Sequence, residues 1–361
     1  MPITRREFVV SSVALASAAF TRFDLGAQMT AADADTLFRR AVIIDGLSAD
    51  EDWNDPEPIL AAYKTANLSA IYTTLNPANL NVSLRDLSAW QARFDRWPDR
   101  LMKIEKGAQI AEARKAGRLA VVLGFQNGTM VEQDVANLDK LYAAGTRCIQ
   151  PTYNEHNLLG DGCTQKVDGG LSAFGHTVVE RMNELGIILD LSHCGLKTSR
   201  DGIAASKRPP AFTHTVCAAV YNHVRSKPDD LLKAVSDKGG INGMMTLGYI
   251  VGPTPETSLD DYLKHIDHAV KVSGIDHVGL ASDYSIRGIG ATRTYDNWYV
   301  PRLSSFPPDY HVRWPPWVKE LDPPERFLNI TRGLAARGYT TTAIEKILGG
   351  NWARYFTELL R

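Results

Sequence analysis

Three polar side chains follow short apolar runs, and their types suit metal binding or proton transfer. His193 ends the run Asp-Leu-Ser-His, His214 lies in Thr-His-Thr after the next apolar run, and Asp283 ends Gly-Leu-Ala-Ser-Asp. Imidazole and carboxylate groups are the ligands of a catalytic zinc ion, and the same groups transfer protons. A single histidine after a strand is more often structural, but three such groups in register favour a site.

Arg225 is a further candidate, in the segment His-Val-Arg-Ser-Lys-Pro-Asp-Asp before a predicted helix. Its guanidinium could hold a substrate carboxylate through two parallel hydrogen bonds. A surface ion pair with Asp229 or Asp230 explains the same spacing equally well. The spacing alone leaves both interpretations open.

Eight short, mostly apolar runs bounded by Gly, Pro or Asp are typical of strands buried on both faces. The predicted strands are residues 42–45, 68–75, 119–125, 147–153, 187–191, 210–213, 241–247 and 277–281. Segments of helical periodicity lie between strands, and three of them end at a glycine. These three are residues 134–144, 171–185 and 258–272.

Alternating strands and helices predict parallel strands joined by right-handed crossovers. A doubly wound open sheet and a closed barrel both have this pattern. In a barrel, the functional side chains come from the ends of several strands at one rim, as His193, His214 and Asp283 would. We therefore predict an α/β fold of the (β/α)₈ TIM-barrel type, forming a single domain over residues 31–361. Residues 285–324, rich in Trp and Pro, are predicted to be a long loop that covers or binds a ligand.

The composition excludes one class of partner and one type of metal site. The chain has 361 residues and a formal net charge of -1, without a Lys- or Arg-rich run, so nucleic-acid binding is not expected. Four cysteines lack any CxxC spacing, which excludes the common structural zinc pattern. Cys148 and Cys163 are the nearest pair for a disulfide if the protein is exported.

Residues 1–30 are predicted to be an export signal. Residues 4–10 have the twin-arginine pattern, and the apolar run that follows is too short to span a bilayer. An ordinary amphipathic start is the alternative. The signal implies recognition by the twin-arginine export machinery and a periplasmic location. Because that route carries folded proteins, it favours a metalloprotein.

The order of these motifs resembles the membrane (renal) dipeptidase family of the metal-dependent hydrolase superfamily. The likeness runs from about Val42 to Phe356, nearly the whole chain after the signal. The similar segments are residues 159–163, 190–193, 213–215, 225–230, 279–283 and 349–352. The resemblance implies a barrel with two zinc ions that hydrolyses dipeptides and related amides, often as a homodimer. It further implies His193 and His214 as ligands of one metal, Asp283 as the acid/base, and Arg225 as the carboxylate clamp.

The chain departs from the family at the first metal. The family has Asp-Gly-His-x-Asp after the first strand, whereas this chain has Leu47 and Ala49 at the two ligand positions. The glutamate that bridges the metals corresponds to Gln126, whose neutral amide cannot bridge two cations. The histidine that polarises the scissile carbonyl corresponds to Tyr153, with His156 close by. We therefore expect the first metal site to be lost.

A second metal site could survive with one ion, zinc by resemblance, held by His193, His214 and either Gln126 or Asp283. Three ligands and a water are the pattern of a catalytic zinc. Tyr153, His156 and Arg225 are then the candidate substrate-binding residues. The acidic residues 50–52 could instead restore the first site, but an exposed loop patch is the simpler interpretation.

Three functions of different classes are consistent with these residues. The first is an exported hydrolase that uses one metal ion to cleave a dipeptide or small amide, with Asp283 moving the proton. The second is a repurposed barrel with a lyase, isomerase or tailoring activity, because Leu47, Ala49 and Gln126 replace chemically central groups. The third is a barrel that binds a ligand without catalysis. We favour the hydrolase.

Overall fold

The computed structural model describes residues 29–49, 53 and 55–361. Most of the predicted signal, residues 1–30, and the acidic residues 50–52 lie outside this part of the chain. Within the described residues, nine strands form one parallel sheet. The strands are β1 (Ile44–Ser48), β2 (Ala70–Leu75), β3 (Leu101–Lys103), β4 (Leu119–Phe125), β5 (Thr146–Ile149), β6 (Ile188–Leu189), β7 (Ala211–Thr215), β8 (Ile241–Met245) and β9 (Val278–Ala281).

The sheet is a nearly closed barrel. Eight strands follow the order β6-β5-β4-β2-β1-β9-β8-β7, and β3 pairs with β4 beside this path. The end strands β6 and β7 meet through a single parallel bridge between Asp190 and Ala211. The predicted (β/α)₈ fold is confirmed, and all eight predicted strands are present. Strand β3 was not predicted. It is only three residues long and partly exposed, so its sequence lacks the buried apolar run from which the other strands were predicted.

Helices lie between the strands and at the end of the chain. The α-helices are α1 (Ala31–Arg40), α2 (Pro56–Thr65), α3 (Leu80–Arg96), α4 (Gln109–Lys115), α5 (Asn137–Ala143), α6 (Ala173–Leu185), α7 (Leu196–Ala205), α8 (Asp229–Asp237), α9 (Gly248–Val251), α10 (Leu259–Ser273), α11 (Ile289–Thr292), α12 (Val300–Ser305), α13 (Arg326–Ala336), α14 (Thr341–Glu345) and α15 (Asn351–Leu359). None of the helices in the described residues is long and apolar enough to cross a membrane.

The ends of the predicted helices follow the signals in the sequence. Ser258 caps α10 and forms a reciprocal capping box with Asp261. Gly186 ends α6 in the left-handed conformation, with φ of 82°. Residues 285–324, which we call the covering segment, were predicted to be a long loop, and they contain α11, a π-helical segment (Tyr295–Tyr299), α12 and a 3₁₀ turn (Pro308–Tyr310). The four cysteines are free thiols, so the Cys148–Cys163 disulfide does not form.

The last helix packs against the barrel through one fully buried tryptophan. Trp352 in α15 donates a hydrogen bond from Nε1 to the carbonyl oxygen of Leu280, at 3.1 Å. Three glycines of neighbouring strands, Gly46, Gly243 and Gly279, lie against its indole. A Cβ atom at Gly46 or Gly279 would come within 2.4 or 2.3 Å of ring atoms. The glycines are therefore required by the indole, and α15 holds β1, β8 and β9 together.

We expect Gly279→Ala to lower the free energy of unfolding by about 1–3 kcal/mol, because the added methyl group overpacks the indole. In a Trp352→Leu background, Gly279→Ala should lower the free energy of unfolding by clearly less, since the smaller leucine side chain leaves room for the methyl group. Denaturant unfolding of the four proteins measures this coupling as a double-mutant cycle. Equal effects of Gly279→Ala in the two backgrounds would contradict the packing role given to Trp352.

Candidate active site

The buried carboxylate of Asp190 connects strands β6 and β7, which share a single backbone bridge. Asp190 follows β6, and its Oδ1 accepts hydrogen bonds from the backbone N–H groups of Ser192 (3.0 Å) and Thr213 (3.1 Å). Its Oδ2 accepts a hydrogen bond from the Thr213 hydroxyl at 2.6 Å. Burial raises the pKa of Asp190, and these hydrogen bonds oppose the rise. The carboxylate thereby fixes the backbone immediately before both candidate histidines.

The partners of the two histidines determine which ring nitrogen carries the proton. Nδ1 of His193 lies 2.7 Å from the amide oxygen of Asn154, which can only accept, so Nδ1 must be protonated. Nδ1 of His214 lies 2.8 Å from the Thr213 hydroxyl, which already donates its hydrogen to Asp190. Thr213 must therefore accept from His214. Both histidines keep a free lone pair on Nε2, which is the form that binds a metal.

Both imidazoles are neutral and lie close together. Their ring centroids are 5.0 Å apart, and both side chains are buried. Burial and the nearby Arg225 guanidinium hold the pKa of each histidine well below its usual range. Neither Nε2 atom has a hydrogen-bond partner among the described residues. Two buried acceptors are thus left available for a ligand.

Asp283 completes this cluster from the end of β9. Its Oδ1 atom lies 3.8 Å from Nε2 of His214. Burial raises the pKa of Asp283 to about 6, while Arg225 and Arg302 lower it. Its φ of 66° is in the left-handed region, which Asp tolerates better than most residues. The Asp283 carboxylate and the unprotonated Nε2 of His214 are both acceptors, so a proton or a cation between them would stabilise the pair.

Asp45 positions Asp283 through the backbone. Oδ1 of Asp45 accepts hydrogen bonds from the N–H groups of Ser282 (2.7 Å) and Leu47 (3.2 Å), and Asp283 N–H donates to the Leu47 carbonyl at 2.9 Å. The ends of β1 and β9 are thereby fixed to each other. Burial raises the pKa of Asp45 to about 7, although Ser282 and Arg326 oppose the rise.

This shift predicts how Asp45 affects stability with pH. Its folded-state pKa of about 7 exceeds the unfolded value of about 3.9, so the folded protein binds more protons between these limits. The contribution of Asp45 to the free energy of unfolding must then decrease as the pH rises through this window, and it stays low above it. The free energy of unfolding of Asp45→Asn, relative to that of wild type, should therefore rise by up to about 4 kcal/mol between pH 4 and pH 8.

Denaturant unfolding of wild type and Asp45→Asn across this pH range measures the difference. Asp99→Asn, which changes an exposed aspartate, is the matched control and should follow the wild-type curve. Parallel curves for wild type and Asp45→Asn would show that the carboxylate does not titrate in this way.

Two of the remaining predicted site residues, Tyr153 and Arg225, also lie close to the histidines. Tyr153 stacks on His193, with ring centroids 3.9 Å apart, and burial raises its pKa to about 12. Arg225 is buried and donates from Nη2 to the carbonyl of His214 at 3.1 Å. Its Nε and Nη1 atoms have no hydrogen-bond partner in the described chain, and the same holds for the buried Oε1 of Gln126.

The structure does not bring His156 to this cluster. Its side chain is 68% exposed, and Nδ1 lies 2.7 Å from a carboxylate oxygen of Asp161. Proximity to Tyr153 in the sequence suggested a shared site, but the loop after Tyr153 turns outward. His156 therefore has no contact that supports substrate binding at the histidine pair.

A cavity of about 100 Å³ opens beside the cluster and is covered by residues 285–324. Its walls are formed by Ala49, Tyr153, His193, Leu247, Tyr249, Asp283, Tyr284, Ser285, Ile289, Thr292, Arg293, Trp298, Arg302, Phe306 and Tyr310. Sequence reasoning identified the covering segment but missed the individual contributions of Tyr249, Arg302 and Tyr310. No periodicity places Arg302 and Tyr310, because they depend on how the segment folds back over the rim, and Tyr249 lies in the short helix α9, where β8 ends.

Comparison with known proteins decides the family. Residues 59–301, more than half of the chain, match the membrane dipeptidase family (peptidase family M19). The chain belongs to this family. A similar relative, dipeptidase verJ from Clonostachys rogersoniana, is 30% identical over 210 residues, which are 57% of this chain and 53% of that protein. The chain thus spans about half the length of this relative.

Solved structures of similar fold agree with the membrane dipeptidase assignment. An amidohydrolase from Pseudomonas aeruginosa is 25% identical, with a TM-score of 0.78 over 90% of this chain and 98% of that one. The probable dipeptidase PvdM from Pseudomonas aeruginosa has a TM-score of 0.76 and 19% identity, over 91% and 98% of the two chains. A metallo peptidase from Rhodobacter sphaeroides, liganded with a phosphinate mimic of L-Ala-D-Ala, has a TM-score of 0.71 and 16% identity, over 88% and 99%.

The two-zinc centre that the family resemblance implies does not fit the described residues. Leu47 is buried and Ala49 lines the cavity, and neither side chain has a donor atom. Across residues 29–49, 53 and 55–361, no three His, Cys, Asp or Glu side chains are grouped to hold a metal. His193 and His214 nevertheless offer two unprotonated Nε2 atoms without hydrogen-bond partners in the described chain. The amide oxygen of Gln126, at the end of β4, is also buried and without a hydrogen-bond partner in the described chain.

Proposed function

We propose that this membrane dipeptidase family member hydrolyses a dipeptide or related small amide with one metal ion, zinc being the first choice. The observation that carries the proposal is the pair of neutral imidazoles, His193 and His214, whose Nε2 atoms have no hydrogen-bond partner in the described chain and of which His214 lies 3.8 Å from the Asp283 carboxylate. When bound there, such an ion supplies Lewis-acid activation of water. We also propose that the protein acts in the periplasm, on the twin-arginine pattern of residues 4–10 alone.

The residues around the imidazoles have complementary roles in this proposal. Asp283, with a pKa of about 6, can accept a proton from the attacking water near neutral pH and return it to the leaving amine. Tyr153 keeps its phenolic proton, because its pKa is about 12, and can donate a hydrogen bond to the scissile carbonyl. Arg225 has two buried N–H groups without partners in the described chain, which suit a substrate carboxylate.

The first experiment is elemental analysis of the purified full-length protein. We expect about one zinc, iron or manganese ion per chain, and its loss in His193→Ala and His214→Ala. His156→Ala is the matched control, because it removes an exposed imidazole paired with Asp161, and it should retain the ion.

The other outcomes of the metal analysis are equally informative. Two ions per chain would contradict the single-ion proposal and direct attention to residues 50–52 as additional ligands. No ion, even after incubation with excess metal, would overturn the hydrolase proposal. The non-hydrolytic barrel would then be favoured, consistent with the neutral residues Leu47, Ala49 and Gln126.

Asp283→Asn should reduce kcat by about 10²- to 10⁴-fold, because it removes the proton acceptor. Metal content should stay at the wild-type level, and Asn also tolerates the positive φ at this position. Steady-state hydrolysis of dipeptides measures the effect, with Asp296→Asn in the covering segment as the control. Undiminished turnover in Asp283→Asn would exclude a proton-transfer role.

A further inference from the structure

Arg302 places a fixed positive charge over the cavity. It belongs to α12 of the covering segment, and its guanidinium lies 4.0 Å from the ring centroid of Trp298. Its Nη1 atom donates to the Trp298 carbonyl at 2.9 Å. Stacking and this hydrogen bond restrict the side chain to one orientation. No ion pair neutralises Arg302 within the described part of the chain.

Few negative charges in the described part of the chain balance this group. Among its described lining residues, Asp283 is the only carboxylate. Arg225 and Arg302 both lie close enough to Asp283 to stabilise its charged form. Two guanidinium groups therefore share one carboxylate, and a bound metal ion would add further positive charge. A ligand that brings negative charge is favoured electrostatically in such a site.

Apolar and aromatic surfaces surround the Arg302 guanidinium. Trp298 is buried beneath it, and Tyr249 packs on Trp298 with ring centroids 6.1 Å apart. Phe306 also lines the cavity. Desolvation by these rings strengthens an interaction between the guanidinium and an anion relative to one at an exposed surface. The same surroundings suit the aliphatic stem of an acidic side chain.

We propose that Arg302 is a specificity residue that binds a second acidic group of the substrate, in addition to the carboxylate assigned to Arg225. The substrate class is then a dipeptide or small amide with an acidic side chain, with the added carboxylate next to Arg302 and Trp298. This inference rests on the proposed function for the placement of the scissile bond. The charge argument itself holds whether or not the protein is a hydrolase.

The test compares matched dipeptides that differ only in this acidic group. L-Glu-L-Ala and L-Gln-L-Ala, and likewise L-Asp-L-Ala and L-Asn-L-Ala, have similar shapes and different charges. In wild type, kcat/KM should be at least tenfold higher for the acidic member of one pair. In Arg302→Gln this ratio should fall to about one, with kcat/KM for the neutral member nearly unchanged. Arg85→Gln, which removes an exposed arginine of α3, is the control and should keep the ratio.

Calorimetric binding of the same four dipeptides separates this inference from the hydrolase proposal. If no peptide is cleaved but an acidic peptide binds at least tenfold more tightly than its amide, and Arg302→Gln abolishes the difference, the hydrolase proposal fails and the inference stands. Equal binding within both pairs, an unchanged ratio in Arg302→Gln, or no binding of either acidic peptide at millimolar concentration would overturn the inference.

Discussion

The geometry of the site depends on the Asp190 carboxylate, which joins the barrel where its backbone pairing is weakest. Strands β6 and β7 share a single bridge, so backbone hydrogen bonds alone would hold this junction poorly. Asp190 compensates by binding Ser192 on one side and Thr213 on the other. The candidate ligands His193 and His214 follow immediately on the two sides. The interaction that closes the barrel therefore also sets the separation of the imidazoles and, through the Thr213 hydroxyl, the protonation of one of them.

Within the described residues, Asp283 is the only carboxylate that lines the cavity beside these imidazoles, and this connects the other features of the site. The family resemblance implies anionic ligands for two metals, and it aligns three of these ligands with Leu47, Ala49 and Gln126 of this chain. Asp283 remains, with neighbouring guanidinium groups on Arg225 and Arg302. If one ion binds as we propose, neutral ligands hold it less tightly than carboxylates would, and the acidic substrate proposed for Arg302 would add negative charge to the site. Metal affinity and substrate preference are then linked properties of one electrostatic environment.

The sequence predicts the barrel well because its strands are buried on both faces and read as continuous apolar runs. It also predicts that His193, His214 and Asp283 converge, since parallel strands present their carboxyl ends at one rim. The prediction for His156 lacks support, because proximity in the sequence says little about a loop after the strand end. Arg302 was not predicted, since its position depends on the path of the covering segment, which no periodic pattern defines. Local patterns thus specify the scaffold and the strand-end groups, whereas the cavity wall depends on long-range packing.

The three glycines around Trp352 also constrain the order in which the protein can be built. Gly46 lies near the start of the described chain, whereas Trp352 lies near its end, so their contact has a very large sequence separation. During synthesis, β1 emerges first and has no indole to pack against until almost the whole chain has left the ribosome. Contacts of this separation require the closure of a long loop and form slowly. The glycine-lined surface on β1, β8 and β9 therefore has no indole against it until α15 has been synthesised and has folded back onto the barrel.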